Sequence, residues 1–136
     1  MESKISGSCY CGKIQFSLNG KPKIVVNCHC DDCKKRNGTV FSTYIAVAEN
    51  DLQLSTGQDS LKRYEAANVG IKYFCPECGS PIYNQNFRLP GLNLLFYGAL
   101  SHPTEYTPDF NVFCSTKAAW VDDIKSIQSF QESIER

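Results

Sequence analysis

Seven of the chain's eight cysteines stand in three tight clusters: Cys9 with Cys11, Cys28 with Cys30 and Cys33, and Cys75 with Cys78. Thiols two or three residues apart are spaced to meet on one metal ion, and an all-sulfur set suits zinc. The uneven division is informative. Two pairs can complete one tetrahedral four-sulfur site, whereas a triad leaves a second ion one ligand short. A closed set holds structure together, while a set with an open vertex can bind and activate a further ligand.

Cys9, Cys11, Cys75 and Cys78 are the candidates for the closed site. Residues i and i+2 of a strand face the same side, so a strand through Cys9 and Cys11 would present both sulfurs together. Around the second pair, Pro76 presets a turn dihedral and Gly79 tolerates positive φ just past the last ligand. A disulfide, buried free thiols or a redox C-x-x-C are the alternatives for this set. The redox reading lacks the surrounding βαβ pattern.

Cys28, Cys30 and Cys33 can wrap one metal from a single turn at the end of a strand. Water or a small thiol could take the remaining vertex. A coordinated thiol is held as thiolate, ready as nucleophile or leaving group. His29, His102 and Cys114 are the protein groups that could close the site instead. His29 lies between two ligands, whose sulfurs turn its ring from the metal. That leaves it as a wall, a hydrogen-bonding group or the nearest candidate base, with Asp31 and Asp32 next. His102, just before Pro103, reads as a surface residue, and Cys114, in an apolar run, as a buried inert thiol. Iron–sulfur clusters also use cysteine-rich turns, but the triad has no evident fourth cysteine. Lys34, Lys35 and Arg36 follow at once, either as a solvated face or as an attractor for the carboxylates of an anionic thiol.

These loops need a scaffold, and the pattern around them is β. Ile14, Phe16 and Leu18 alternate within 13–18, and 23–27 is β-branched and runs into the triad. Further strands are expected at 40–47, 52–56, 61–64, 71–74, 81–83 and 92–100, with glycine and proline marking the turns. Helix is limited to a turn or two over 30–37, stopped by Gly38, and to a short amphipathic helix or frayed tail over 126–136.

The 136 residues suit one domain, 1–136, and the 42% apolar and 21% charged composition is ordinary for a globular protein. No stretch approaches the ~20 apolar residues of a membrane span, and the first residues lack the apolar run of a signal peptide. Reduced cysteines and a cytoplasmic setting are therefore expected. Formal net charge is zero, and metal-bound thiolates would make the loaded form mildly acidic. Nucleic acid and membrane are not expected partners.

Three segments carry a resemblance: Gly7 to Gly12 around Cys9 and Cys11, Cys28 to Cys33, and Phe74 to Gly79 around Cys75 and Cys78. In order and spacing, across about 5–121, they resemble the glutathione-dependent formaldehyde-activating family, also called centromere protein V-like or Mss4-like. Residues 122–136 form a tail beyond that likeness. The resemblance implies a mainly β, Mss4-like, zinc-stabilised domain with short helical turns. Its structural zinc would lie on Cys9, Cys11, Cys75 and Cys78. A second zinc on Cys28, Cys30 and Cys33 would be associated with glutathione or its formaldehyde adduct. Downstream, Pro108, Lys117 and Trp120 fit the family's closing pattern, Trp120 as a core or pocket-wall aromatic. Many relatives carry a histidine where this chain has Asn111, and an acidic residue where it has Ser101. The function implied is that of a carbon–sulfur lyase joining a small thiol and a carbonyl compound reversibly. The alternatives are a non-catalytic glutathione carrier and a zinc-dependent protein-interaction module.

Overall fold

The computed structural model describes residues 5–101 and 106–134, and His102 lies outside them. Ten strands and one α-helix are assigned among these residues. They are β1 (Ser6–Ser8), β2 (Gln15–Leu18), β3 (Ile24–Cys28), α1 (Asp31–Asn37), β4 (Ser42–Ala48), β5 (Leu52–Thr56), β6 (Lys62–Ala66), β7 (Gly70–Phe74), β8 (Pro81–Asn86), β9 (Leu92–Phe96) and β10 (Phe110–Val112). Short 3-10 turns fill the connections. The fold is mainly β, as expected, and among the described residues no helix is long and apolar enough to cross a membrane.

The strands form a three-stranded sheet in the order β1-β2-β5 and a seven-stranded sheet in the order β10-β3-β4-β9-β8-β7-β6. Every pair is antiparallel except β10 on β3, where Val112 registers with Cys28. The larger sheet has two working faces, which explains why β4 reads as an unbroken apolar run rather than an alternation. Ile45 and Val47 point to a core shared with Ile14, Phe16 and Leu18 of β2, and with Val25, Ile82, Tyr83 and Leu95. Tyr44 and Ala46 point the other way, to a second cluster with Leu94, Phe96 and Cys28. Cys9 and Cys75 belong to the first core, while Cys30 and Cys33 pack against the second. The two cysteine sets thus lie on opposite faces of one sheet.

Local chemistry sets the ends of α1. The Cys30 sulfur accepts the backbone N–H of Cys33 at 3.3 Å, acting as the N-cap. Gly38, at φ 65°, closes the helix through a 2.8 Å bond from its N–H to the Lys34 carbonyl. Asp31 and Asp32 in the first turn, with Lys34, Lys35 and Arg36 near the last, complement the helix dipole.

Three expectations are revised. The 92–100 segment is a strand only to Phe96, where its ladder with β4 ends, and Tyr97–Ala99 is a 3-10 turn. Of the two alternatives for 126–136, the helix drops out and the tail stands, since 127–134 form no helix. They follow a 3-10 run at Ala119–Ser126, and Ile127, Phe130 and Ile134 stay exposed with no core to bury them. Trp120 lies within that run, 49% exposed, and is not a core residue.

Candidate metal centre

Cys9 and Cys11 do not sit on a strand. β1 stops at Ser8, and the chain turns through a 3.1 Å bond from the Gly12 N–H to the Cys9 carbonyl, with Gly12 at φ 81°. A second bond, from the Cys9 N–H to the Ile14 carbonyl at 3.0 Å, closes the loop. The turn, rather than strand pleating, brings the two sulfurs to 3.6 Å. The facing turn is built alike. The Gly79 N–H meets the Cys75 carbonyl at 2.7 Å, and Gly79 takes φ 77°.

Cys11 Sγ lies 3.9 Å from Cys75 Sγ, and all four sulfurs fall within 4.8 Å of one another. Zinc bonded to sulfur at ~2.3 Å in a tetrahedron requires sulfurs about 3.8 Å apart. The spacing fits a metal and far exceeds the ~2.05 Å of a disulfide bond. All eight cysteines are free thiols. Donors around the set bring Cys9 and Cys78 down, whereas Cys11, despite a lowering backbone N–H at Lys13, is pushed up to about 11 by the Cys9 sulfur and burial. The Ile14 N–H points at Cys9 Sγ at 3.3 Å. At Cys78, the Ser80 hydroxyl 3.2 Å away leads the effects that bring the thiol down to about 5.

The triad is equally tight. Cys28 and Cys30 sulfurs are 3.4 Å apart, Cys28 and Cys33 3.5 Å, and among the described residues no fourth His, Cys, Asp or Glu joins them. The sulfurs also shift one another's ionisation. A hydrogen bond from Cys33 lowers Cys28, the same bond and burial push Cys33 up, and burial pushes Cys30 up. Tyr44 Oη lies 3.2 Å from Cys33 Sγ. Its own ionisation is pushed up, by burial first and by charge at Cys33 second.

His29 is 1% exposed. Its Nε2 lies 3.3 Å from Asn111 Oδ1, which also accepts from Asn27 Nδ2 at 3.1 Å. An oxygen there accepts from a proton on Nε2, and the other ring nitrogen is Nδ1. It is buried with no hydrogen-bond partner. The ring packs on Phe41 at 4.9 Å. Cys114 was expected to be buried but is exposed, because β10 ends at Val112 and Phe113, at φ 58°, turns the chain outward. The turn it opens is latched to the triad loop by Thr116 Oγ1, which donates to the His29 carbonyl at 2.9 Å, and by Lys34 Nζ, which donates to the Thr116 carbonyl. Of the basic run, Lys34 is thus engaged, Lys35 is exposed, and Arg36 carries two buried donors, Nε and Nη2, with no partner.

A cleft of about 700 Å³ lies beside the closed set, lined by Ser8, Tyr10, Asn37, Ser42, Ser80 and Ser101 among others. Sequence reasoning identified both cysteine sets but missed Tyr44, Asn37 and Asn84, whose meeting depends on strand register rather than on any local motif.

A mainly β domain with two sulfur clusters at metal-binding separation defines a class of cysteine-rich metal-binding folds. Residues 4–116 match the family described as glutathione-dependent formaldehyde-activating enzyme, and the chain belongs to that family. A provisionally named glutathione-dependent formaldehyde-activating enzyme of Halomonas elongata is 24% identical over 87% of this chain and 80% of its own length. A protein of the same provisional name from Aspergillus flavus is 26% identical over 58% of this chain, a match spanning 44% of that longer protein. Among solved structures, a Rhodobacter sphaeroides protein superposes with a TM-score of 0.62 at 19% identity, over 74% of this chain and 91% of that one. That likeness concerns the fold alone.

Proposed function

We propose that the chain binds a small thiol, glutathione or a close relative, at Cys28, Cys30 and Cys33, and promotes its reversible addition to formaldehyde or a similar aldehyde. The observation that carries this reading is the triad itself, three sulfurs within 4.8 Å of one another and no fourth ligand among the described residues. Family membership supports the thiol and the carbonyl partner.

In the reaction, the thiol sulfur bonds to the carbonyl carbon, the carbon–oxygen π bond breaks, and the thiol proton ends on the new hydroxyl. The reverse step is the lyase direction. Zinc, when bound, supplies positive charge that favours the incoming thiol as thiolate at neutral pH. The three cysteines hold that ion, and Cys9, Cys11, Cys75 and Cys78 hold a second, structural one. Lys35, exposed on α1, draws an anionic thiol toward the triad, with Lys34 and Arg36 adding to the local field. His29 acts from behind, keeping the Cys28–Cys30 loop in shape through Asn111. Proton transfer then falls to water or to Asp31 and Asp32, both exposed at the start of α1.

Magnetisation exchange between free glutathione and its formaldehyde adduct tests this directly. The protein should accelerate the exchange, and Cys30→Ser should return it to the uncatalysed rate. No acceleration by a protein carrying two zinc ions would defeat the enzymatic reading. Exposed Trp120, Ile124, Ile127, Phe130 and Ile134 on the C-terminal segment favour a second reading, a protein-interaction module. That reading predicts two metals that neither glutathione nor a mild chelator disturbs.

A further inference from the structure

Tyr44 is the side chain that links the triad to the sheet beneath it. It is 2% exposed, packed edge-on against Phe96 at a centroid distance of 5.0 Å. Its hydroxyl meets three groups: Cys33 Sγ at 3.2 Å, Asn37 Nδ2 at 3.1 Å and Asn84 Nδ2 at 3.2 Å. A phenol has one proton to give and lone pairs to receive. Two amide N–H groups occupy those lone pairs, which leaves the proton for the sulfur. The direction is the same however the amides are turned. A metal-bound cysteine has lost its proton, so a 3.2 Å contact between oxygen and sulfur is attractive only when Tyr44 supplies one.

The setting gives that bond its consequence. Three thiolates on a divalent ion already leave one negative charge, and a thiolate as fourth ligand would make two. The surrounding cluster of Val26, Ala46, Leu94 and Phe96 is apolar, where unbalanced charge is costly. A neutral hydroxyl aimed at a ligand sulfur spreads this charge. It does so without a cation that would pair with the incoming anion.

Resting on the thiol-binding reading above, we infer that Tyr44, held by Asn37 and Asn84, is a positioning residue of the three-cysteine centre: it donates a hydrogen bond to the Cys33 thiolate and so conditions the site to accept an anionic fourth ligand.

The test uses the cobalt-substituted protein, whose sulfur-to-cobalt charge-transfer band reports the electron density on the ligand sulfurs. Tyr44→Phe should keep both metals and shift the unliganded triad band to lower energy. It should weaken glutathione binding about tenfold, the lower end of what an outer-shell partner contributes. Imidazole, a neutral fourth ligand, should bind the variant as well as it binds wild type. Asn84→Leu, which removes one donor to Tyr44 and leaves the phenol, should shift the band the same way by less. It keeps the question answerable if Tyr44→Phe folds poorly.

An unmoved band in both variants overturns the hydrogen bond. Equal losses for glutathione and imidazole reduce Tyr44 to packing and overturn the tuning. A wild-type band that ignores glutathione but answers to imidazole removes the thiol-binding reading and the tuning role with it. The unliganded band shift would then still report the hydrogen bond by itself.

Discussion

The four-cysteine cluster gathers its ligands from two turns, Cys11 and Cys75 being 64 positions apart, whereas the triad draws all three from the end of β3 through the first turn of α1. The first sends Cys9 and Cys75 into the larger core, almost wholly buried, and leaves Cys11 exposed at the surface. The second sits on the opposite face, under one short helix and a latch from the C-terminal side. On the proposed reading, two glycine-terminated turns that come together only in the folded chain would make a metal part of the folding reaction. A local loop with a capped helix does not depend on its metal in this way. The contrast teaches that one kind of ligand can serve anchorage or exchange, and that what decides is how much of the chain the cluster ties together.

The strongest way to break the comparison is to remove a ligand from each cluster. Cys75→Ser should abolish cooperative thermal unfolding, because a structural zinc is coupled to folding by about 10 kcal/mol or more at neutral pH. Circular dichroism with elemental analysis would show both metals lost. Cys30→Ser should leave a folded protein with one zinc, its midpoint down by no more than roughly 10 °C, a loss of about 3 kcal/mol at this size. If the two variants unfold alike, the division into anchor and open site fails.

Smaller changes sharpen it. Thr116→Val deletes the 2.9 Å bond to the His29 carbonyl, worth about 1 kcal/mol. Chelator-driven metal release from the triad should quicken several-fold, with the four-cysteine cluster unaffected. Equal acceleration at both would show that the latch supports the whole fold. The least effect is expected at Lys35→Ala. Removal of this exposed charge should weaken glutathione binding about twofold in low salt and leave no difference near 1 M, where the screening length is ~3 Å. A salt-independent loss would point to a direct contact instead of steering.

Much of this was legible in the residues. Each cysteine set is read from spacings of two or three, and α1 from the stretch 30–37 ended by Gly38, because these are local arrangements. The strands 23–27, 52–56 and 71–74 lie close to their observed bounds for the same reason, since β-branched and alternating runs report their own burial. What escaped depends on distant partners. β10 is three residues long with Phe110 exposed, and only its parallel pairing to β3 makes it a strand. Cys114 sits in an apolar run, yet the left-handed backbone at Phe113 turns it to solvent. The Tyr44 network needs the Tyr44↔Phe96 and Asn84↔Leu94 registers of three neighbouring strands, which no window of sequence contains.

The latch between Thr116 and the His29 carbonyl has a chronology built into it. Every ligand of the four-cysteine cluster has been synthesised by residue 78, and all three triad cysteines by residue 33. The turn that braces the triad loop is synthesised only at residues 113–116, and β10, which pairs with β3, just before it. A chain made from its N-terminus therefore acquires its anchor first and holds an unbraced triad for the longer part of its synthesis. During that interval the triad loop stands without the Thr116 bond that holds it in the finished fold.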